Sequence, residues 1–371
     1  MKNILQANPG AAYQAYQAEI DAAVARVLSS GWYILGEEVT AFEQEFAAYC
    51  ETSYAVGVAD GTNALLLALR ALDIGPGDEV ITTGHTAVAT AAAIENAGAV
   101  PVLVDIDPQT YTLGPEHVAA AITPKTRAII AVHLYGHPAD IDSLKTIADD
   151  NGLNLIEDCA QAHGAHYNGK RVGSMGTMGC FSFYPTKNLG AIGDGGAVVT
   201  SDEQLLDKLR ALRQYGWHEG ERYISAETGY NSRLDELQAA ILRVKLNNLD
   251  ADNQRRRDLA GIYDEKLAES GVMTPARVGN IEHVYHLYVT QVENREKLMA
   301  DLRERGIGTA IHYPQPIHQQ PAYAGRIRTV PDGLPNLTAI TPRILSLPLY
   351  PELPPEDAAF VAETLSALGG Q

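Results

Sequence analysis

Cysteine is scarce in this 371-residue chain, where Cys50, Cys159 and Cys180 stand far apart. Their spacing matches no metal-ligand pattern, and three dispersed thiols make no disulfide framework, so a reducing cytoplasm is the expected setting. Basic residues are also short. The 28 Lys and Arg face 46 Asp and Glu, a formal charge of −18. Nucleic acid and anionic membrane surfaces both need a basic face, so neither is expected as a partner. No apolar run approaches the roughly 20 residues of a membrane span. The opening MKNILQANPGAAYQAYQAEI lacks the apolar stretch and small-residue cleavage site of a secretory leader. Repeats and low-complexity tracts are missing too. With 46% hydrophobic and 20% charged residues, the chain suits one large domain, or a large and a small one.

Apolar strand-like runs occupy 54–59, 79–83, 100–106, 127–134, 153–158, 180–184 and 196–200. Helix-period segments at 62–72, 87–96, 116–121 and 141–149 separate the earlier runs. That alternation predicts an α/β fold with a mostly parallel seven-stranded sheet covered on both faces. Ligands on such sheets bind at the carboxyl ends of the strands. The connections around 175–179 and 190–195 are too short for helices, which predicts a hairpin or an antiparallel strand there. From Ser232 the pattern SRLDELQAAILRVKLNNLD is helical, and Ser232 with Asp235 resembles a capping box. A charged helix at 250–266 then leads to strands near 284–292 and 308–313, a helix at 295–305 capped by Asn294, and a last helix at 356–368. The expected division is a large domain over 1–249 and a small α+β domain over 250–371.

Lys187 lies between the apolar run Phe181-Ser182-Phe183-Tyr184-Pro185 and a cluster of glycines at 190, 193, 195 and 196. A lysine placed there loses solvation, and a desolvated amine sheds its proton and can form a Schiff base. This suggests pyridoxal phosphate chemistry. Asp158 ends the run LNLIED, either as a capping acid or as the counter-ion of a pyridine nitrogen. Gln161, three residues on, can donate to a ring oxygen. Ala59-Asp60-Gly61-Thr62-Asn63 joins strand to helix, either as a plain capping turn or as a phosphate cradle. Ser182 can add a hydroxyl to the same phosphate. His133 reads as a core histidine, while His85 begins the helix that follows a strand and points toward the same mouth. His312, Tyr313 and His318, with the Tyr215–Tyr223 loop, are candidates for a sugar pocket.

The strings GTNALLLAL, EDCAQAHGA, FSFYPTKNLGAIGDGG and YNSRLDELQAAIL occur in this order. Together they resemble the DegT/DnrJ/EryC1/StrS family of nucleotide-sugar aminotransferases, of fold type I, from about Trp32 to the last helix. The resemblance implies pyridoxal 5'-phosphate on Lys187, with pyridoxamine 5'-phosphate as the alternate form. It puts Asp158 at the pyridinium nitrogen, Gln161 near the ring hydroxyl, and Gly61, Thr62 and Ser182 at the phosphate. It also implies a homodimer in which Asn231 and Arg233 reach the neighbouring site. Arg233 is the candidate for the donor carboxylate, and Tyr184 is added to the substrate residues. At the position of the usual aromatic ring over the cofactor stands Ala87, so His85 is the candidate to cover that face. No metal is implied. Retention of the lysine points to transamination, from an amino acid such as L-glutamate to a nucleotide-linked keto sugar. The wording around Lys187 resembles members that aminate C3 of a dTDP-linked 3-keto-6-deoxyhexose. Amination at C4, or a non-catalytic regulatory member of the same fold, are the alternatives.

Overall fold

The structure, a computed structural model, describes residues 3–218, 220–330 and 332–369. Helix α1 (Glu37–Tyr49) leads into strand β1 (Tyr54–Val58), helix α2 (Gly61–Ala71), β2 (Glu79–Thr83), α3 (Val88–Asn96), β3 (Val100–Val104), β4 (Thr126–Val132) and β5 (Asn154–Asp158). Strands β6 (Met178–Ser182) and β7 (Gly196–Thr200) come next, followed by helices α4 (Glu236–Leu246) and α5 (Leu249–Leu267). The remainder holds β8 (Tyr288–Gln291), β9 (Arg328–Thr329), β10 (Ile344–Leu347) and helix α6 (Pro355–Gly369).

The main sheet has the order β1-β7-β6-β5-β4-β2-β3-β9. Its strands from β6 through β9 pair in parallel, and β7 alone is reversed, against both β1 and β6. The 190–195 turn therefore makes the expected antiparallel hairpin. The 175–179 segment does not, because β6 returns parallel to β5. Val, Ile and Leu fill these strands and are buried on both faces, as a parallel sheet sandwiched by helices requires. An eighth strand joins the seven predicted ones. Arg328 and Thr329 of β9 pair with Val102 and Leu103 at the β3 edge. Two polar residues carry no periodic signal, so this edge is decided by tertiary contact.

A separate apolar cluster joins α5, β8, β10 and α6 through Leu259, Tyr263, Tyr288, Leu345 and Leu365. Ile4 enters that cluster, and its backbone bonds to Gly306 and Gly308 at 2.8 Å each. In the β8–β10 ladder Tyr288 faces Leu347. The expected strand at 308–313 is reduced to one bridge between Ala310 and Ser346. Asn294 has a left-handed backbone (φ +48°) and makes no side-chain cap. Among the described residues, no helix is long and apolar enough to cross a membrane.

The Ser232–Asp235 capping box is not formed. Ser232 Oγ instead accepts from the Ala59 amide at 3.2 Å, and α4 begins only at Glu236 without a side-chain cap. Glu236 turns away from its own helix to the start of α1. Its carboxylate accepts from the amides of Gly36 (2.7 Å), Glu38 (2.9 Å) and Val39 (2.9 Å). A charge at a helix start, buried and fully bonded, holds two distant segments together. Replacing it strands three donors. Glu236→Ala is expected to lower unfolding free energy by about 2–4 kcal/mol, measured by urea denaturation at fixed protein concentration. A loss within the error of the fit would contradict this role.

Candidate active site

The carboxyl ends of β1, β2, β5 and β6 open on one edge of the sheet. Residues just beyond them line a cavity of about 320 Å³, with Lys187 in its wall. The corner nearest α2 is built by a close approach. A Cβ on Gly61 would lie 2.6 Å from Ser182 Cβ and 3.2 Å from Ser182 Cα, so only glycine lets the first turn of α2 rest on the end of β6. Asp60 caps this helix, accepting from the Asn63 amide at 2.9 Å. The Gly61 and Thr62 amides belong to the first turn and have no helical acceptor. Two free N–H groups at a helix start, beside a serine hydroxyl, suit a phosphate.

Asp158 closes β5 and is 5% exposed. Thr90 Oγ1 donates to its Oδ2 at 2.9 Å, and the Ala160 amide donates to its Oδ1 at 3.2 Å. Burial nevertheless pushes its carboxyl above the usual range, with Lys187 pulling the other way. Lys187 shows the mirror effect. Burial lowers its ammonium from 10.5 to about 8, and Asp158 opposes the fall. Each charge is thus costly alone. A buried acid lacking a strong cationic partner, a neutralisable amine and an amide-lined cradle in one cavity fit pyridoxal phosphate at ring nitrogen, aldehyde and phosphate respectively.

Gln161 is fixed on both sides. Its Oε1 accepts from the Tyr135 amide at 2.7 Å, and its Nε2 donates to the Tyr313 hydroxyl at 2.9 Å. Tyr135, with a left-handed backbone (φ +60°), donates its hydroxyl proton to the His312 carbonyl. That proton being spent, His85 Nε2 must be the donor in its 2.7 Å contact with the same hydroxyl. His85 is buried, and burial lowers its pKa to about 3. The expectation that His85 covers a cofactor face is corrected. Its ring packs behind the cavity against Tyr135 and Tyr111, and the cavity wall at that point is Thr86, Ala87, Ala89 and Thr90.

His312 and Lys187 share a second cavity, which meets the first at Lys187 and Tyr184. His312 Nδ1 lies 2.9 Å from Ser346 Oγ. His318 lines neither cavity and sits beside Gly84 after β2. Asn231 is exposed, and the Arg233 guanidinium lies 6.0 Å over the Tyr215 ring. Neither lines a Lys187 cavity of its own protomer. Thr90 and Tyr135 escaped sequence reasoning. Thr90 sits one turn after Thr86, an available signal, whereas the role of Tyr135 follows from a backbone twist that only the fold imposes.

His133, Glu157 and Cys159 bring ligand-type atoms within 4.8 Å of one another. They form a hydrogen-bond network instead of a metal site. His133 Nδ1 accepts from the Ala139 amide, so Nε2 carries the proton that meets Glu157 Oε2 at 3.0 Å. Glu157 also accepts from the amides of Gly173, Met175 and Gly176. Its lone pairs are spent.

Two outcomes follow. Overpacking costs about 1–3 kcal/mol, so Gly61→Ala is expected to weaken pyridoxal phosphate binding about tenfold to a hundredfold, read by titrating the apoenzyme at the cofactor's visible band. Neutral amine is the reactive form, so borohydride-trapped capture of the cofactor by Lys187 should rise with pH and be half-maximal near 8. In Asp158→Asn that midpoint should move lower, because the carboxylate that holds the ammonium is gone. A midpoint near 10.5 in the unsubstituted protein would refute the desolvated lysine.

Comparison with known proteins agrees with this geometry. The chain is 51% identical over 345 residues to the dTDP-3-amino-3,4,6-trideoxy-alpha-D-glucose transaminase of Streptomyces venezuelae, covering 92% of this chain and 90% of the relative. It is 49% identical over 354 residues to the dTDP-3-amino-3,6-dideoxy-alpha-D-galactopyranose transaminase of Aneurinibacillus thermoaerophilus, covering 95% and 96%. The crystal structure of S. venezuelae DesV in complex with a ketimine intermediate superposes with a TM-score of 0.97 at 48% identity, over 100% of both chains. The model of the DegT/DnrJ/EryC1/StrS aminotransferase family matches residues 14–366, and the chain belongs to that family.

Proposed function

We propose that this chain is a pyridoxal-phosphate-dependent nucleotide-sugar aminotransferase, moving an amino group from an amino acid, L-glutamate, to C3 of a dTDP-linked 3-keto-6-deoxyhexose. The observation that carries the reading is the buried pair of Lys187 and Asp158 across a cavity that ends in the Gly61–Ser182 cradle. The names of the relatives, two of them transaminases of dTDP-linked 3-amino sugars, supply the substrate class and the carbon.

Bound pyridoxal phosphate supplies the electron sink that makes a substrate C–H acidic. The protein's part is positioning and proton transfer. Asp158, steadied by Thr90 and the Ala160 amide, keeps the ring nitrogen protonated. Gln161 is held by Tyr135 and Tyr313, which orients its amide toward the ring oxygen. Gly61, Thr62 and Ser182 hold the phosphate. Lys187 Nζ would take the proton from the donor α-carbon and give it up again to complete the transfer. An amine with a pKa near 8 is matched to that double duty at neutral pH. Tyr184, His312 and Tyr313 face the sugar. Residues 1–249 serve in the main as the cofactor part, and 250–371, apart from the β9 strand that pairs with the main sheet, as the smaller part that supplies His312 and Tyr313.

The reading includes a homodimer working in the cytoplasm. Trp32 (64% exposed), Tyr33, Ile34, Tyr223 and Ile224 are exposed apolar side chains, the kind of surface a second copy covers. Asn231 and Arg233 then act in trans, Arg233 on the donor carboxylate. Lys187→Ala is expected to abolish the visible cofactor band and turnover, and unchanged turnover would end the proposal. Shared sites make a further outcome measurable. Lys187→Ala and Arg233→Ala homodimers should each be nearly inactive, yet recover activity when co-refolded, because one of the two sites in a mixed dimer is intact. No recovery would place Arg233 in its own protomer's chemistry or outside the site.

A further inference from the structure

The cavity behind Lys187 has a volume of about 240 Å³ and is bounded by the N-terminal segment, α5 and the residues before α6. It gathers unspent hydrogen-bonding capacity. Both carboxylate oxygens of Glu352, Nε of Arg256 and Nε2 of Gln6 are buried and have no partner, and all three residues line this one cavity. Leaving such groups unmet is costly, most of all for charged ones, so their convergence marks a place where a ligand is received.

These groups are also held in place. Arg256 is 5% exposed. Its Nη1 donates to the carbonyls of Tyr285 (3.2 Å), His286 (3.5 Å) and Leu349 (3.1 Å), which fixes the guanidinium in place. The Gln6 carbonyl accepts from the Leu349 amide at 3.2 Å, tying Gln6 to the segment that carries Glu352. Lys245 and Arg256 offset Asp252 and Glu352, and Lys187, the remaining lysine of the lining, is the one assigned to the cofactor above, so the rest of the cavity favours a neutral ligand. An amino-acid donor with two carboxylates would set a net negative charge against Glu352. A sugar ring has no charge, and its hydroxyls both donate and accept.

We propose that this cavity receives the hexose ring of the nucleotide sugar and that Glu352, with Gln6 and Arg256, reads its hydroxyl groups. The inference rests on the nucleotide-sugar reading above. Glu352 accepts from two ring hydroxyls, Gln6 and Arg256 donate to their oxygens, and the nucleotide lies outside toward the dimer face. Lys187 and Tyr184, common to both cavities, then stand between the hexose and the cofactor.

The test is calorimetric titration of the pyridoxamine-phosphate form with dTDP-glucose and with free dTDP, alongside the L-glutamate half-reaction. Glu352→Gln keeps the shape and swaps an acceptor for a donor. It should weaken dTDP-glucose about tenfold or more, as expected when a site built for hydroxyls is left unpaired, while dTDP affinity and the L-glutamate half-reaction stay unchanged. Gln6→Ala, on a surface segment, should act in the same direction and keeps the test open should the first variant fold poorly. Unchanged dTDP-glucose binding in both variants overturns the inference, as does an equal loss for dTDP, or a loss confined to L-glutamate. An unsubstituted enzyme that accepts the amino group from L-glutamate yet binds neither dTDP nor dTDP-glucose would instead sink the nucleotide-sugar reading itself.

Discussion

Desolvation of two groups in one cavity, Lys187 and Asp158, governs the site of this protein. Lys187 and Asp158 each sit where burial disfavours their charge, so the amine falls to about 8 and the acid rises. In water the two groups would be ordinary ions with no chemistry to offer. The sheet supplies the dry setting, because β5 delivers Asp158 at its carboxyl end and the β6–β7 hairpin carries Lys187 past the same edge. On the proposed reading, the cofactor would resolve the tension from both ends, with a cation for Asp158 to face and a carbon for Lys187 to bond. Binding affinity and catalytic competence therefore come from the same burial.

The supports around the pair are made mostly of distant contacts. Thr90 reaches Asp158 from α3. Tyr135 joins Gln161 and the His312 carbonyl, so the Gln161 amide and the His312 segment share one anchor. Glu157, next to Asp158, is locked by His133 and three amides of the 173–176 loop. A buried carboxylate with every lone pair used leaves the strand end little freedom, and Asp158 inherits that rigidity. Such arrangement in depth is what a preorganised site requires.

Much of this was legible from residue order. The seven main strands and their crossover helices announce themselves through apolar runs and helical periods, and Lys187, Asp158 and Gly61 stand where the pattern says ligands bind. The misreadings share a cause. Ser232 with Asp235 looks like a local capping box, yet Ser232 bonds Ala59, and the neighbouring Glu236 caps α1 from two hundred residues away. His85 looks like a mouth residue because it follows a strand, but the loop turns its ring inward to Tyr135. A polar side chain at a helix start has several partners within reach, and only the packed chain selects one.

Composition and periodicity by themselves determined an acidic α/β protein, because burial of alternating elements depends on local hydrophobic pattern. The setting of Lys187 suggested the cofactor, because a desolvated amine can form a Schiff base, while four motifs in order, by their family resemblance, assigned Asp158 and the Gly61 turn to it. Tertiary structure alone decided which groups meet. It turned His85 away from the cavity, recruited Thr90 and Tyr135, added β9 to the sheet, and brought Gln6, Arg256 and Glu352 to one chamber from opposite ends of the chain. Those contacts join residues tens to hundreds of positions apart, and no local pattern encodes a distance across the fold.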